Sequence, residues 1–106
     1  MTSLQVVNIR QVAPVPWRNG GGVTRELLAW PKADAWQLRV SVADIERDGP
    51  FSSFEGVDRA FAVLSGAGVT LGLGPTPVAV TVDSDPVNFA GEDAPSCHLV
   101  NGPTRD

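Results

Sequence analysis

Apolar and polar residues alternate strictly along Trp36-Gln37-Leu38-Arg39-Val40-Ser41-Val42, the period-two signature of a half-buried strand. Weaker alternation runs over Leu4 to Ile9, Val69 to Leu73 and Val78 to Val82, each bounded by Gly, Pro or Asp turn signals. Cys97-His98-Leu99-Val100 reads as a further strand. Hairpins are expected to join these segments. In Leu64-Ser65-Gly66-Ala67-Gly68-Val69 the pattern predicts a strand, a glycine turn and a returning strand, the glycines supplying positive φ. Nine prolines and eleven glycines leave little room for a helix of even about 10 residues. The expected fold class is all-β. Neither repeat nor linker divides the chain, so residues 1–106 are expected to form a single domain.

Composition narrows the function classes. A chain of 106 residues buries only about two-thirds of the surface its unfolded form exposes, so modest stability is expected. A hydrophobic content of 42% still suffices for a packed core. The balance of 8 basic against 12 acidic residues gives a net charge of -4, with no Lys/Arg cluster to neutralise a run of phosphates. Nucleic acid is therefore not expected as a partner. Cys97 is the sole cysteine, which precludes an internal disulfide and a thiolate zinc site. The start, Met1-Thr2-Ser3-Leu4, lacks a basic leader region, and no run reaches the roughly 18 apolar residues of a membrane span. A soluble cytoplasmic protein, not a membrane one, is the expectation.

Two clusters and one strand face could carry chemistry. Asn19-Gly20-Gly21-Gly22 follows Trp17 and leads into Thr24-Arg25-Glu26; three glycines allow close backbone approach to a ligand and can present successive N–H groups to an anion. On local pattern alone the segment reads as a turn between strands. Gly49-Pro50-Phe51-Ser52-Ser53-Phe54 precedes Gly56-Val57-Asp58-Arg59, where an Asp-Arg pair could orient itself through charge-assisted hydrogen bonds. The plainer reading is a surface loop with an exposed ion pair. Arg39 and Ser41 share one strand face, opposite that of Trp36. If that face lines a barrel, Arg39 must be paired, by a ligand carboxylate or by Glu26 or Asp58; on an open sheet it faces solvent. His98 is the only histidine, and no metal-ligand spacing or Gly-x-Ser-x-Gly nucleophile context occurs, so neither metal nor cofactor is expected. Cys97 reads as a small buried hydrophobe.

Taken in order, Trp17-Arg18-Asn19-Gly20-Gly21-Gly22-Val23-Thr24-Arg25-Glu26, Trp36-Gln37-Leu38-Arg39-Val40-Ser41 and Gly49-Pro50-Phe51-Ser52 with Gly56-Val57-Asp58-Arg59 resemble the HutD/Ves family. The ending Gly102-Pro103-Thr104-Arg105-Asp106 is similar to a later Gly-Pro motif of that family. The resemblance implies a cupin-like β-barrel or double-sheet jelly roll, one half of a bicupin, without the histidine metal motif of metal-dependent cupins. It also implies a length nearly twice that of this chain, so either a fragment or a shortened gene is expected, with unpaired edges favouring a homodimer or pairing with another β subunit.

The leading functional expectation is a small-molecule binding protein of the HutD type, modulating histidine utilisation or a stress response. Its ligand would be a small carboxylate metabolite of the urocanate or formylglutamate type. Arg39 pairs the carboxylate, Asn19, Thr24 and Ser52 supply hydrogen bonds beside Ser41, Glu26 and the Asp58-Arg59 pair orient these groups, and Phe51 or Trp17 walls the pocket. The alternatives are a metal-independent cupin-type enzyme with Glu26 or Asp58 as general base, and a structural or assembly subunit.

Overall fold

The computed structural model describes residues 6–106. In chain order its strands are β1 (Val15–Pro16), β2 (Gly22–Trp30), β3 (Leu38–Ile45), β4 (Gly49–Pro50), β5 (Asp58–Phe61), β6 (Val69–Gly72), β7 (Val78–Val80), β8 (Val87–Ala90), β9 (Ser96–Leu99) and β10 (Thr104–Arg105). They form two four-stranded sheets, β1-β2-β3-β10 and β4-β9-β6-β7, and a two-stranded ribbon, β5-β8, all paired antiparallel. Helical structure among the described residues is confined to 3-10 turns at Ile9–Gln11 and Gly91–Asp93. No helix there is long and apolar enough to cross a membrane. The fold is of the all-β class that the sequence pattern predicts, with the double-sheet architecture that the family resemblance implies.

The core follows from register. Val69 lies opposite Val80 on one side and Leu99 on the other, and Leu71 opposite Val78 and Cys97. Residues opposite one another project from the same face, so three short strands present six apolar side chains together. Val69, Leu71 and Val80 are fully buried, Cys97 nearly so. Ile45 from the end of β3 and Phe61 and Phe89 from the ribbon pack against them. Thr104 fastens β10 to this layer: its hydroxyl lies 3.3 Å from both the N–H and the carbonyl oxygen of Gly68.

Several boundaries differ from the expectations. No strand occupies the described part of Leu4 to Ile9; Asn8 accepts a hydrogen bond from the Arg10 N–H at 3.0 Å and turns the chain into the 3-10 turn, while Leu4 and Gln5 lie outside the described residues. The strand expected at Trp36 begins at Leu38, because the Gln37 N–H closes the preceding turn on the Trp30 carbonyl, and it continues to Ile45. Gly66 and Gly68 both have positive φ, as the turn reading requires, but the flanks do not form one hairpin. Ser65 bridges Arg105, whereas Val69 pairs with β7 and β9. Strands β1, β2, β4, β5, β8 and β10 were not among those the pattern predicted.

Candidate functional site

The glycine segment builds one wall of a cavity by satisfying itself. The Gly20 N–H donates to the Trp17 carbonyl at 3.0 Å, and the Gly21 N–H donates to Asn19 Oδ1 at 2.8 Å. The Gly21 carbonyl accepts from the N–H groups of Glu46 and Arg47 at 2.8 and 3.0 Å. These N–H groups are thus occupied internally, and the anion cradle that three glycines could have formed is not presented; the segment is a turn. Its product is the placement of Trp17 and Asn19. Trp17 donates through Nε1 to Thr24 Oγ1 at 2.7 Å and meets Phe51 edge-on at 6.5 Å.

From Gly22, β2 enters the sheet with Thr24 and Glu26 on its inner face, opposite Ala43 and Ser41. A bulge between Glu26 and Leu28 shifts the register, so the inner positions continue at Ala29, opposite Arg39. The inner face of this hairpin is polar. Its outer face carries Leu38 and Val40, which are 53% and 45% exposed, so the strict alternation of β3 points its charged side inward, toward a cavity.

That cavity has a volume of about 630 Å³. Nine of the ten residues singled out from the sequence line it: Trp17, Asn19, Thr24, Glu26, Arg39, Ser41, Phe51, Ser52 and Arg59. Asp58 is the exception. It neighbours Arg59 on β5, and consecutive strand residues project to opposite faces, so Asp58 lies on the outside of the ribbon and the expected Asp58-Arg59 pair does not form. Arg18, Phe54, Phe61 and Asp106 also line the cavity and were not singled out. Phe54 and Asp106 stood inside motifs already in view; what was missing was the register that turns them inward.

Two of the cavity's arginines, Arg39 and Arg59, are held differently. Arg39 Nε lies 3.0 Å from Glu26 Oε1, but its N–H is not directed at that oxygen, and Nε is a buried donor without a hydrogen-bond partner. The charge of Arg39 is balanced while a donor is left over. Arg59 has no carboxylate at ion-pair distance among the described residues. Its guanidinium carbon sits 5.5, 5.2 and 5.2 Å from the ring centres of Phe51, Phe54 and Phe89, and Nη1 donates to the Ser52 carbonyl at 3.3 Å. Burial draws the Arg59 pKa below the usual guanidinium value; Asp106 opposes this and Arg39 adds to it. Asp106 is pushed up to about 7 by burial, with Arg59 lowering it and Asp44 raising it. Elsewhere, Asp48 accepts from the Leu99 N–H at 2.7 Å and sits 3.4 Å from His98 on the exposed surface. Among the described residues no three His, Cys, Asp or Glu side chains converge as a metal site would need.

A double-sheet β protein with an aromatic-walled cavity that arginines line is a cupin-like scaffold. The sequence profile of HutD matches residues 10–106, and the chain belongs to the HutD family. It is 37% identical over 108 residues to an uncharacterized 21.2 kDa protein in the hutC 3' region of Pseudomonas putida, covering 100% of this chain and 57% of that protein. It is 35% identical over 101 residues to protein Ves of Citrobacter koseri, covering 93% and 52%. Among solved structures, HutD from Pseudomonas fluorescens SBW25 (formate condition) superimposes with a TM-score of 0.84 at 35% identity, over 91% of this chain and 53% of that one. A conserved protein of unknown function from Pseudomonas aeruginosa PAO1 gives 0.89 at 28% identity, over 98% and 55%. The chain thus spans about half the length of the relatives it matches.

Proposed function

We propose that the cavity binds a small carboxylate metabolite of histidine breakdown, of the urocanate or formylglutamate type, and that the protein modulates histidine utilisation through that binding. The observation that carries this reading is the unpaired Arg59, a cation held in place by three aromatic rings on the wall of a cavity of suitable size. Arg59 takes the carboxylate-anchoring role that the sequence reading gave to Arg39, because Glu26 already balances Arg39. The guanidinium of Arg39, with Asn19, Ser41 and Ser52, supplies further polar contacts. Phe51, Phe54 and Trp17 cover the flat or apolar remainder of the ligand.

A metal-independent enzyme using Glu26 or Asp58 as base fits this geometry less well, since Glu26 is engaged by Arg39 and Asp58 lies outside the cavity. Calorimetry with urocanate and N-formylglutamate tests the binding reading. Losing a charge-assisted contact costs about 1.5–3 kcal/mol, so Arg59→Gln should weaken binding by roughly 10- to 100-fold. No heat of binding from either compound, or equal affinity in wild type, Arg59→Gln and Arg39→Ala, would overturn it.

A further inference from the structure

Asp106, an ionisable group in the cavity, has no task in the reading above. Thr104 lies opposite Ile45 and Arg105 opposite Asp44, and Asp106 extends the ladder by exchanging backbone hydrogen bonds of 2.9 and 3.0 Å with Ala43. Alternation then sends Thr104 into the core, Arg105 onto Asp44 on the outer face, and Asp106 into the cavity. The charged groups that share the cavity with Asp106 are Arg59 from β5, Arg39 from β3, Glu26 from β2 and Arg18 from the segment between β1 and β2, with Asp44 on the far face of β3. Arg39 is balanced by Glu26, and Asp44 by Arg25 and Arg105. Arg59, Arg18 and Asp106 remain, each without an ion-pair partner among the described residues.

We propose that the cavity takes up its anion together with a proton: the ligand carboxylate lies against Arg59, and Asp106, as the neutral acid, donates a hydrogen bond to it. This rests on the carboxylate-binding reading above. An incoming anion finds Arg59 and Arg18 without ion-pair partners among the described residues and one carboxyl group, Asp106, in the same cavity, and two neighbouring carboxylates resist being ionised together. Protonation of Asp106 removes that repulsion and converts an acceptor that would repel the ligand into a donor that holds it. Solvent supplies the proton, and no bond in the ligand changes. Burial already brings Asp106 to about 7, and holding the proton at pH 7.5 once the ligand is present requires the bound-state value to rise well above that pH.

The coupling is read by titrating N-formylglutamate, which has no group of its own ionising near neutrality, into the chain at pH 7.5 in buffers of low and high ionisation enthalpy. Urocanate serves as a second probe. With Asp106 near 7 beforehand and protonated afterwards, uptake should be about three-quarters of a proton per ligand at pH 7.5 and close to none at pH 5.5. Affinity should fall by up to about tenfold per pH unit above 7. Asp106→Asn, which keeps the size of the side chain, should bind without uptake and without that pH dependence. Binding whose heat is the same in both buffers, or uptake that persists in Asp106→Asn, overturns the proton proposal and leaves the carboxylate reading standing. Absence of binding by both compounds overturns the carboxylate reading and this proposal with it.

Discussion

The indole Nε1 of Trp17 donates to Thr24 Oγ1 at 2.7 Å, tying the start of the glycine segment to β2. Both residues line the cavity, so this bond holds one of its walls together. In Thr24→Val the shape is kept and the acceptor is lost, leaving a half-buried N–H unsatisfied. A loss of about 1–2 kcal/mol is expected, which lowers the melting temperature by about 4–8 °C per kcal/mol in a chain of this size. Thr24→Ser should melt near the wild type. Thermal unfolding followed by circular dichroism checks both, and a valine variant with wild-type stability would show that the bond contributes nothing.

The three consecutive glycines should respond unequally to alanine. A Cβ on Gly22 would collide with the backbone carbonyl oxygen of Asp44, which cannot move without breaking the hairpin. Gly20 has room but a φ of 73°, which disfavours any side chain. At Gly21 the nearest atom is Asn19 Oδ1 at 3.0 Å, the end of a side chain that can swing aside. Gly22→Ala should therefore cost the most, about 3 kcal/mol or more, Gly20→Ala about 1–2 kcal/mol, and Gly21→Ala least. Urea midpoints of the three variants give the order, and a mild Gly22→Ala would contradict the tight contact between β2 and β3.

The all-β class, the glycine turns and most of the cavity lining were legible from residue types in order, whereas the register was not. Alternation along β3 shows that Arg39 and Ser41 share a face, but a period of two does not say which face is inside. Here the charged face is, and Leu38 and Val40 point outward. β2 escaped notice because the bulge at Leu27 breaks the period: Thr24 and Glu26 face the cavity, and the next residue on their side of the sheet is Ala29, opposite Arg39. The Asp58-Arg59 pairing failed for a related reason, since adjacency along an unrecognised strand means opposition in space. The importance of Asp106 depends on a ladder with Ala43, 63 positions earlier, and no local pattern encodes a contact of that range.

Acid should unfold the protein partly through Asp44. Arg105 donates to it through Nε and Nη2 at 2.7 and 3.1 Å, and Arg25 through Nη1 at 3.0 Å, clamping β2, β3 and β10 on their outer face. The Arg105 hydrogen bonds hold the Asp44 carboxyl below its ordinary value of 3.8; burial opposes them, and Arg25 lowers it further. On acidification the unfolded chain therefore takes up this proton first. The stabilisation is fully present above about pH 4 and lost as pH falls through the folded-state value. Asp106 has the opposite sign: its folded value near 7 lies above the unfolded one, so its contribution declines as pH rises from about 4 to 7 and is constant beyond. Asp44→Asn should cost about 1–2 kcal/mol at pH 7, allowing for partial exposure of the group. The gap from wild type should close below pH 4. Urea unfolding at pH 3, 5 and 7 measures it, and a gap independent of pH would rule out the ion pairs as its source.

Cys97 offers a reporter of the core that owes nothing to ligand. It lies on β9 between Leu71 of β6 and Gly49 of β4, is 1% exposed, and its thiol is pushed up to about 12, chiefly by burial, with Asp106 and Asp48 adding to the shift. The thiolate is the reactive form, so both access and ionisation oppose labelling. Iodoacetamide at pH 8 should leave the native protein unmodified over times in which the urea-unfolded chain reacts completely. The residual native rate then measures opening of the β4-β9-β6 layer and should rise with denaturant as global unfolding does. Cys97→Ser, which buries a hydroxyl in an apolar site, should cost about 1–3 kcal/mol, and Cys97→Ala about 1 kcal/mol for the small void it leaves. Rapid labelling of the native state would mean that β9 separates from β6 without global unfolding, and the six-residue apolar face formed with β7 would then not be the part of the structure that holds longest.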